Sequence, residues 1–482
     1  MFWRGVLGYL PVNLVQAIAG FGAIVAFTRL LTPADYGAYA LALSVTSLVH
    51  TCLFTWVEAA LARFYAAEQD EEGKAALFGT VYRTFAVMAG LIPVAAGLIL
   101  AFAPMSAALK LAIAAGLASA VVRSLLKLAQ ERHRAAGEVK SFAVIDMLQT
   151  GGGFLIGVAF ALMGLGAAAP LAGAGAACAV LLVWSLPGEI ARARAGRFDR
   201  ARMNSYAAYG LPLALSLVMA LALQTTDRFV LAAFLDTQAV GAYHAGYSLS
   251  NRTLDVMFLW LGMAGQPACI AAFERGGREA LHATARDQAS LMLLIALPAA
   301  AGLALVAAPL AELMIGEGLA AAAGRVTPWI AAGGFFAGMT THYLNTAFTL
   351  ARRTRLLFAV IALPAAANLV LALVLIPRFG LDGAMWATTG SFVFGALVSW
   401  ALARGDIALP IPWDALLRCG LATAVMALMV LQVPQLGGLL ELALKASVGA
   451  VVYAVAAFAL DAGGVRGQAQ RLLARRRLEA AA

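Results

Sequence analysis

Fourteen apolar runs of membrane-spanning length follow one another along the chain. They fall near 8–28, 37–61, 81–103, 107–128, 142–163, 168–187, 207–234, 240–266, 289–310, 326–350, 356–376, 383–402, 413–433 and 437–460. A helix needs about 20 apolar residues to cross a hydrocarbon core, so little else fits into 482 residues. Lipid cannot hydrogen-bond exposed backbone, which leaves helices or closed barrels. A barrel would alternate polar and apolar residues over segments of about ten, and these runs are continuous. The expected class is an all-α polytopic membrane protein with about 14 transmembrane helices.

Charged residues make up 12% of the chain and apolar residues 62%, the charged share being about half the ordinary one. That excludes a large soluble enzyme, a disordered chain and a nucleic-acid-binding domain. The net charge of +9 reports loop arginines rather than a nucleic-acid partner. With both tails on one side, that side carries 25 basic residues and the other 6. The bias predicts that both termini lie in the cytoplasm. The first apolar run lacks a clear small-residue cleavage site and reads as an uncleaved span. Loops on the outer side are short, with no room for a folded domain.

Cys52, Cys178, Cys269 and Cys419 are widely spaced in apolar stretches and read as small buried side chains. Trp3, Trp56, Trp329 and Trp413 fall near expected interfaces, where belt tryptophans belong. A phosphate-cradling loop, a HExxH zinc motif and a GxSxG elbow are all missing. A cofactor-free chain that is not an enzyme is expected.

An internal repeat organises the chain. Leu31 leads through Thr-Pro-Ala-Asp-Tyr to Gly37-Ala38-Tyr39, and 204 residues later Leu235 leads to Gly241-Ala242-Tyr243. Phe142-Ala143-Val144-Ile145 recurs as Phe358-Ala359-Val360-Ile361, an offset of 216 shared by Trp184 and Trp400. The repeats divide the chain into six-helix lobes at 1–204 and 205–412. The remaining 413–482 holds two further transmembrane helices and a basic tail. An even helix number makes the lobes parallel repeats about an axis along the membrane normal.

Polar residues at membrane depth cost about 2.5–3.5 kcal/mol each for a central Arg or Asp and usually face a cavity or a bundle interior. Arg252 is expected near the midplane, with Asp255 one turn on, as a cavity pair or as a self-neutralised packing pair. The 204-residue offset places His50 and Thr51 at the matching depth. Asp227 and Arg228, with Gln224 one turn earlier, read as a cavity wall, a gate or an interfacial anchor. Arg29 ends the first span as a rim residue. His342, Asn345 and Asn368 are central and suit interhelical hydrogen bonds or a cavity lining. Arg123, Arg418, Asp146 and Glu58 lie close enough to the cytoplasmic face to snorkel.

The order and spacing of several stretches resemble the Wzx-type polysaccharide flippases of the multidrug/oligosaccharidyl-lipid/polysaccharide exporter superfamily. They are Arg29 to Tyr39, Thr226-Asp227-Arg228-Phe229 followed by Val240 to Tyr243, Leu313 to Glu317, and Ile376 to Ala384. The resemblance implies two lobes around a central cavity that works by alternating access. It implies an undecaprenyl-pyrophosphate-linked glycan as substrate, moved between leaflets for lipopolysaccharide, O-antigen or exopolysaccharide synthesis beside a polymerase and a ligase. It carries no catalytic residue. Coupling to H+ or Na+ through Asp255, Asp227 or His50 is motivated by their depth. The alternative within the superfamily is a cation-coupled multidrug-type antiporter.

Overall fold

The computed structural model describes residues 2–68, 70–102, 105–351, 353–403 and 408–467, and their side chains except those of 2–10, 95, 354 and 355. Of the basic residues that set the orientation, Arg352, Arg404, Arg471, Arg475, Arg476 and Arg477 lie outside the described residues. So do the side chains of Arg4, Arg355 and Trp3.

The described residues form helices and no strand. In chain order they are α1 (Phe2–Leu30), α2 (Pro33–Leu53), α3 (Thr55–Phe64), α4 (Glu71–Phe102), α5 (Ala107–Ala135), α6 (Val139–Leu162), α7 (Ala169–Ala195) and α8 (Arg200–Phe234). Then come α9 (Thr237–Leu305), α10 (Ala307–Met314), α11 (Glu317–Met339), α12 (Thr346–Leu350), α13 (Thr354–Leu402), α14 (Trp413–Leu431) and α15 (Gly438–Ala459). A straight helix as long as α9 would measure ~100 Å against a hydrocarbon core of ~30 Å. Its 69 residues are broken at Gly277, where φ is 63° and ψ −148°. α13 breaks likewise at Gly380, with φ 58° and ψ −129°. Both are conformations that glycine adopts without a Cβ clash. Eleven helices are long and apolar enough to cross a membrane. With the two arms of α9 and of α13 counted separately these make thirteen segments, and α11 with its continuation into α12 covers the remaining apolar run.

Contacts gather the chain into two compact units, Met1–His244 and Ala245–Ala482. In the first, α6 packs on α7 and α1, α5 packs on α7 and α2, and α8 packs on α2 and α3. α8 opens the second lobe by sequence, yet its packing partners are in the first unit. Membrane helices associate through small residues that let backbones close up. At the α6–α7 crossing a Cβ on Gly173 would fall 2.3 Å from the Gly157 nitrogen. The core is filled by Phe54, Leu61, Leu77, Leu117 and Leu128. Trp56 belongs to this core, 6% exposed against Gly210, and is not the belt residue its position suggests. Gly210 lets α8 close onto the Trp56 backbone, where a Cβ would fall 2.5 Å from its carbonyl oxygen.

The duplicated motif builds two equivalent helix starts. Thr32 caps α2, accepting from the Asp35 amide at 3.1 Å, and Pro33 supplies a preset first turn. At the equivalent position Asp236 accepts from the Ala239 amide at 2.7 Å. These starts lie against each other within the first unit. A Cβ on Gly37 would fall 1.6 Å from the Thr237 carbonyl oxygen, and one on Gly241 would fall 2.6 Å from that of Pro33. His244 closes the contact, its ring 5.5 Å from that of Tyr36.

The second unit holds the C-terminal pair. α14 and α15 pack on each other, and Ala415, Cys419, Ala422 and Ala457 join Leu254, Phe258, Leu293 and Ala296 in one cluster. Tyr453 donates to the Leu294 carbonyl at 2.7 Å. All four cysteines are free; Cys178, Cys269 and Cys419 are buried as expected, whereas Cys52 is exposed. Gly37→Val forces a side chain into a carbonyl and is expected to cost at least about 1–3 kcal/mol. Gly90→Ala, where nothing lies within 4 Å, should gain up to about 1 kcal/mol from helix propensity. Thermal unfolding in detergent reads both.

Candidate functional site

A cavity of about 370 Å³ opens in the first unit among α2, α3, α5, α7 and α8. Its polar lining is Thr46, Ser47, His50, Thr51, Thr55, Ser119, Arg123 and Gln224, and the rest is Leu and Ala. Arg123 is exposed to the cavity and makes no hydrogen bond or ion pair with any described residue. Thr46, 8% exposed, has its hydroxyl without a hydrogen-bond partner among the described residues. Glycines let two of the hydroxyls pack closely against neighbouring helices. A Cβ on Gly116 would meet the Thr46 hydroxyl at 2.1 Å, and one on Gly175 would meet that of Ser119 at 2.2 Å.

His50 is fixed within this lining. The helix breaks at Phe54, between α2 and α3. His50 Nε2 lies 3.1 Å from Glu58 Oε1 across that break. Residues eight apart on an unbroken helix are ~12 Å apart along the axis, so the pair braces the interruption. Glu58 is 7% exposed, buried rather than snorkelling.

The arrangement can receive an anion with hydroxyls around it. An unpaired guanidinium offers planar paired donors, and hydroxyls and an amide can exchange hydrogen bonds with sugar oxygens. Among the described residues no group of three or more His, Cys, Asp or Glu is placed to hold a metal ion.

The other expected site residues lie elsewhere. Asp227, 0% exposed, accepts from Tyr243 Oη at 3.0 Å. Arg228 is buried and donates to Ser44 Oγ at 3.1 Å. These two tie α8 to α9 and α2 within the first unit and do not line its cavity. Arg29 donates to the Val25 carbonyl of its own helix at 3.1 Å. In the second unit Arg252 is exposed, and no described residue pairs with it within 4 Å. Asp255 accepts instead from Asn251 at 2.5 Å. Both belong to an uncovered stripe of α9 that continues through Val256, Leu259 and Met263. His342 stacks on Phe258 with ring centroids 6.1 Å apart. It lies in a π-helical turn, Thr340–Leu344, whose carbonyl at His342 accepts from Gln288 at 3.2 Å. Asn345 accepts weakly from Ser399, at 3.4 Å, and Asn368 is fully buried.

A second polar cluster closes one end of α4, α5 and α7. Glu189, 2% exposed, accepts from Tyr82 Oη at 2.6 Å, Arg132 Nε at 3.0 Å and Arg192 Nη1 at 2.9 Å. Beside it, in the α5–α6 turn, Glu138 lies 2.5 Å from His133 Nδ1. The His133 hydrogen bond, with charge from His133, Arg132 and Arg192, holds the Glu138 carboxyl below the usual carboxylate range.

A family profile described as "Polysaccharide biosynthesis protein" matches residues 26–323. The chain belongs to that polysaccharide biosynthesis protein family. No curated protein matches the sequence. Among solved structures, the chain is similar to the lipid II flippase MurJ in an inward closed conformation, with a TM-score of 0.78 and 13% identity over 95% of this chain and 99% of that one. It is similar to an inward-facing multidrug resistance MATE transporter, with a TM-score of 0.63 and 15% identity over 81% of this chain and 94% of that one. It is also similar to a MOP superfamily transporter from Pyrococcus furiosus, with a TM-score of 0.54 and 14% identity over 83% of this chain and 92% of that one. At such identities the fold is what is shared. It is the fold of multi-pass flippases and transporters.

In this family member the sequence hides the placement of Arg123. It stands four positions before Lys127, so it looks interfacial, and only the packing of α5 turns it into the cavity. The nearby hydroxyls of Thr46, Ser47, Thr55 and Ser119 carry no charge pattern to flag them. Gly116 and Gly175, facing two of them, are the available signal.

Glu189→Gln removes the nearer of the two carboxylates paired with buried Arg132, Glu138 remaining at 3.8 Å, and is expected to cost about 1–3 kcal/mol in thermal unfolding. Glu138 gives a pH signature. A carboxyl held low contributes stability that is complete above the ordinary carboxylate range and is lost as pH falls through its lowered value. Stability below neutral pH should therefore decline less steeply in Glu138→Gln than in the wild type.

Proposed function

We propose that the protein is a flippase for undecaprenyl-pyrophosphate-linked oligosaccharide repeat units. It carries them across the bacterial inner membrane by alternating access of the lobes 1–204 and 205–412, with both termini cytoplasmic. A polysaccharide polymerase and ligase act downstream on the translocated unit. The observation that carries this reading is unpaired Arg123 in a hydroxyl-lined cavity of a polysaccharide-biosynthesis membrane protein. A pyrophosphate bearing sugars cannot cross hydrocarbon without its hydration shell being replaced. Arg123 meets phosphate charge, while Ser47, Thr51, Thr55 and Gln224 meet sugar oxygens. At about 370 Å³ the cavity is at the small end of ligand pockets and suits the phosphate-proximal end of the substrate. The prenyl chain stays in lipid throughout. Arg252, exposed on α9, is a second candidate for headgroup charge.

Translocation of a fluorescent undecaprenyl-pyrophosphate glycan in proteoliposomes tests the reading. Losing a charged hydrogen bond of about 1.5–3 kcal/mol should slow Arg123→Ala by about 10–100-fold while the protein remains inserted. Arg252→Ala should abolish surface glycan in cells at normal expression; normal glycan would remove Arg252 from the site. Export of small cations with no glycan translocation would favour the multidrug-type antiporter.

Conversion between states needs a bias. The membrane potential supplies about 2.3 kcal/mol per charge per 100 mV, and His50, Asp227 and Asp255 are proposed carriers of H+ or Na+ coupling. Flipping should then respond to pH, sodium or an imposed potential. Indifference to all three discards coupling.

A further inference from the structure

The link from α7 to α8 carries Arg192, Arg194, Arg197, Arg200 and Arg202. Two are engaged by neighbours: Arg192 donates to Glu189 at 2.9 Å, and Arg202 pairs with Glu68. Arg194, Arg197 and Arg200 are exposed and make no hydrogen bond or ion pair with any described residue. Between them Phe198 is 45% exposed.

This link is held in place. A Cβ on Gly196 would fall 1.7 Å from the Ala75 carbonyl oxygen, so its backbone lies directly on α4. The Asp199 amide donates to Thr80 Oγ1 at 3.1 Å. The Asp199 side chain caps α8, accepting from the Ala201 amide at 2.8 Å. One side of the link is thus fastened to the first unit, and the three guanidinium groups and the phenyl ring remain uncovered.

Their depth follows from α7. Val180, Val183, Trp184 and Ile190 recur at helical spacing and are 51%, 68%, 74% and 40% exposed. An uncovered apolar stripe on a spanning helix is its lipid-facing stripe. Arg194 follows Ile190 on the same face after one turn, ~6 Å along the axis. On α8 the exposed apolar surface resumes at Tyr209 and Leu211. The three arginines therefore stand where hydrocarbon gives way to phosphate.

We propose that Arg194, Arg197 and Arg200, with Phe198 among them, form a surface that gathers anionic phospholipid around the α7–α8 link. The ligand is a phosphodiester headgroup such as that of phosphatidylglycerol. Guanidinium binds phosphate oxygens in paired fashion, and an aromatic ring settles at the headgroup boundary. An excess of arginine on one side of a membrane protein sets topology. Here the nearby carboxylates of Glu189, Glu68 and Asp199 are taken up by other groups, which leaves three cations together on a fixed face. The inference stands apart from what the cavity carries.

Spin-labelled phosphatidylglycerol and phosphatidylcholine, added to proteoliposomes of the two lipids, measure which lipid the protein restricts. A cation beside an anionic surface is worth up to about fivefold in local association. The wild type should prefer phosphatidylglycerol by at least about twofold, and about 1 M NaCl should erase the preference. R194Q/R197Q/R200Q should lose at least half of it, and R194K/R197K/R200K should keep it. R63Q/K140Q/R275Q, which neutralises three exposed basic side chains elsewhere, should also keep it. The proposal is overturned if the first glutamine triple keeps full preference or if the second loses as much. It also fails if inorganic pyrophosphate displaces the lipid, which would make the surface a soluble-anion site. The salt arm uses the native sequence, so a salt-insensitive preference overturns the proposal whether or not the variants fold.

Discussion

Lipid offers no hydrogen bonds, so a polar side chain in a spanning helix must be met by protein or by water. The first unit meets most of its own. Asp227 has Tyr243, Arg228 has Ser44, and Glu189 gathers a tyrosine and two arginines. Against that background Arg123 stands out, because it is exposed to the cavity without a protein partner among the described residues. Satisfied polar groups hold helices in register. Unsatisfied ones beside open space are where a solute's oxygens can be exchanged for water.

Regular helix fails at two places that adjoin such groups. In the first unit the break at Phe54 separates α2 from α3 and is spanned by His50 and Glu58. In the second, a π-helical turn at Thr340–Leu344 carries His342 and leads to Asn345. π-turns and discontinuous spanning helices gather at functional sites because they free backbone groups and redirect side chains. Gln288 takes up one freed carbonyl at His342, so the irregularity is stabilised by a neighbour on α9.

The helices are legible in the sequence because hydrophobic length is a one-dimensional property. Even the two merged helices resolve into four apolar runs, separated by polar stretches that contain Gly277 and Gly380. Rotation about the helix axis is not legible in the same way. Asp227 and Arg228 look like cavity residues until the packing of α8 on α2 turns them inward, and Arg123 looks like a snorkelling residue until α5 turns it toward His50. Trp56 illustrates the same limit, since only packing with other helices buries it in the core. Pairing is equally hidden. Asp255 has two polar neighbours within one turn, and the geometry selects Asn251 over Arg252.

The recurring Gly-Ala-Tyr segments have a structural meaning. A repeat usually lets its copies drift apart, because each answers to separate surroundings. Here each copy is the other's surroundings: the glycine of one lies under the backbone of its twin. Neither segment can acquire bulk unless the other yields space, so these two stretches are bound to change as a couple.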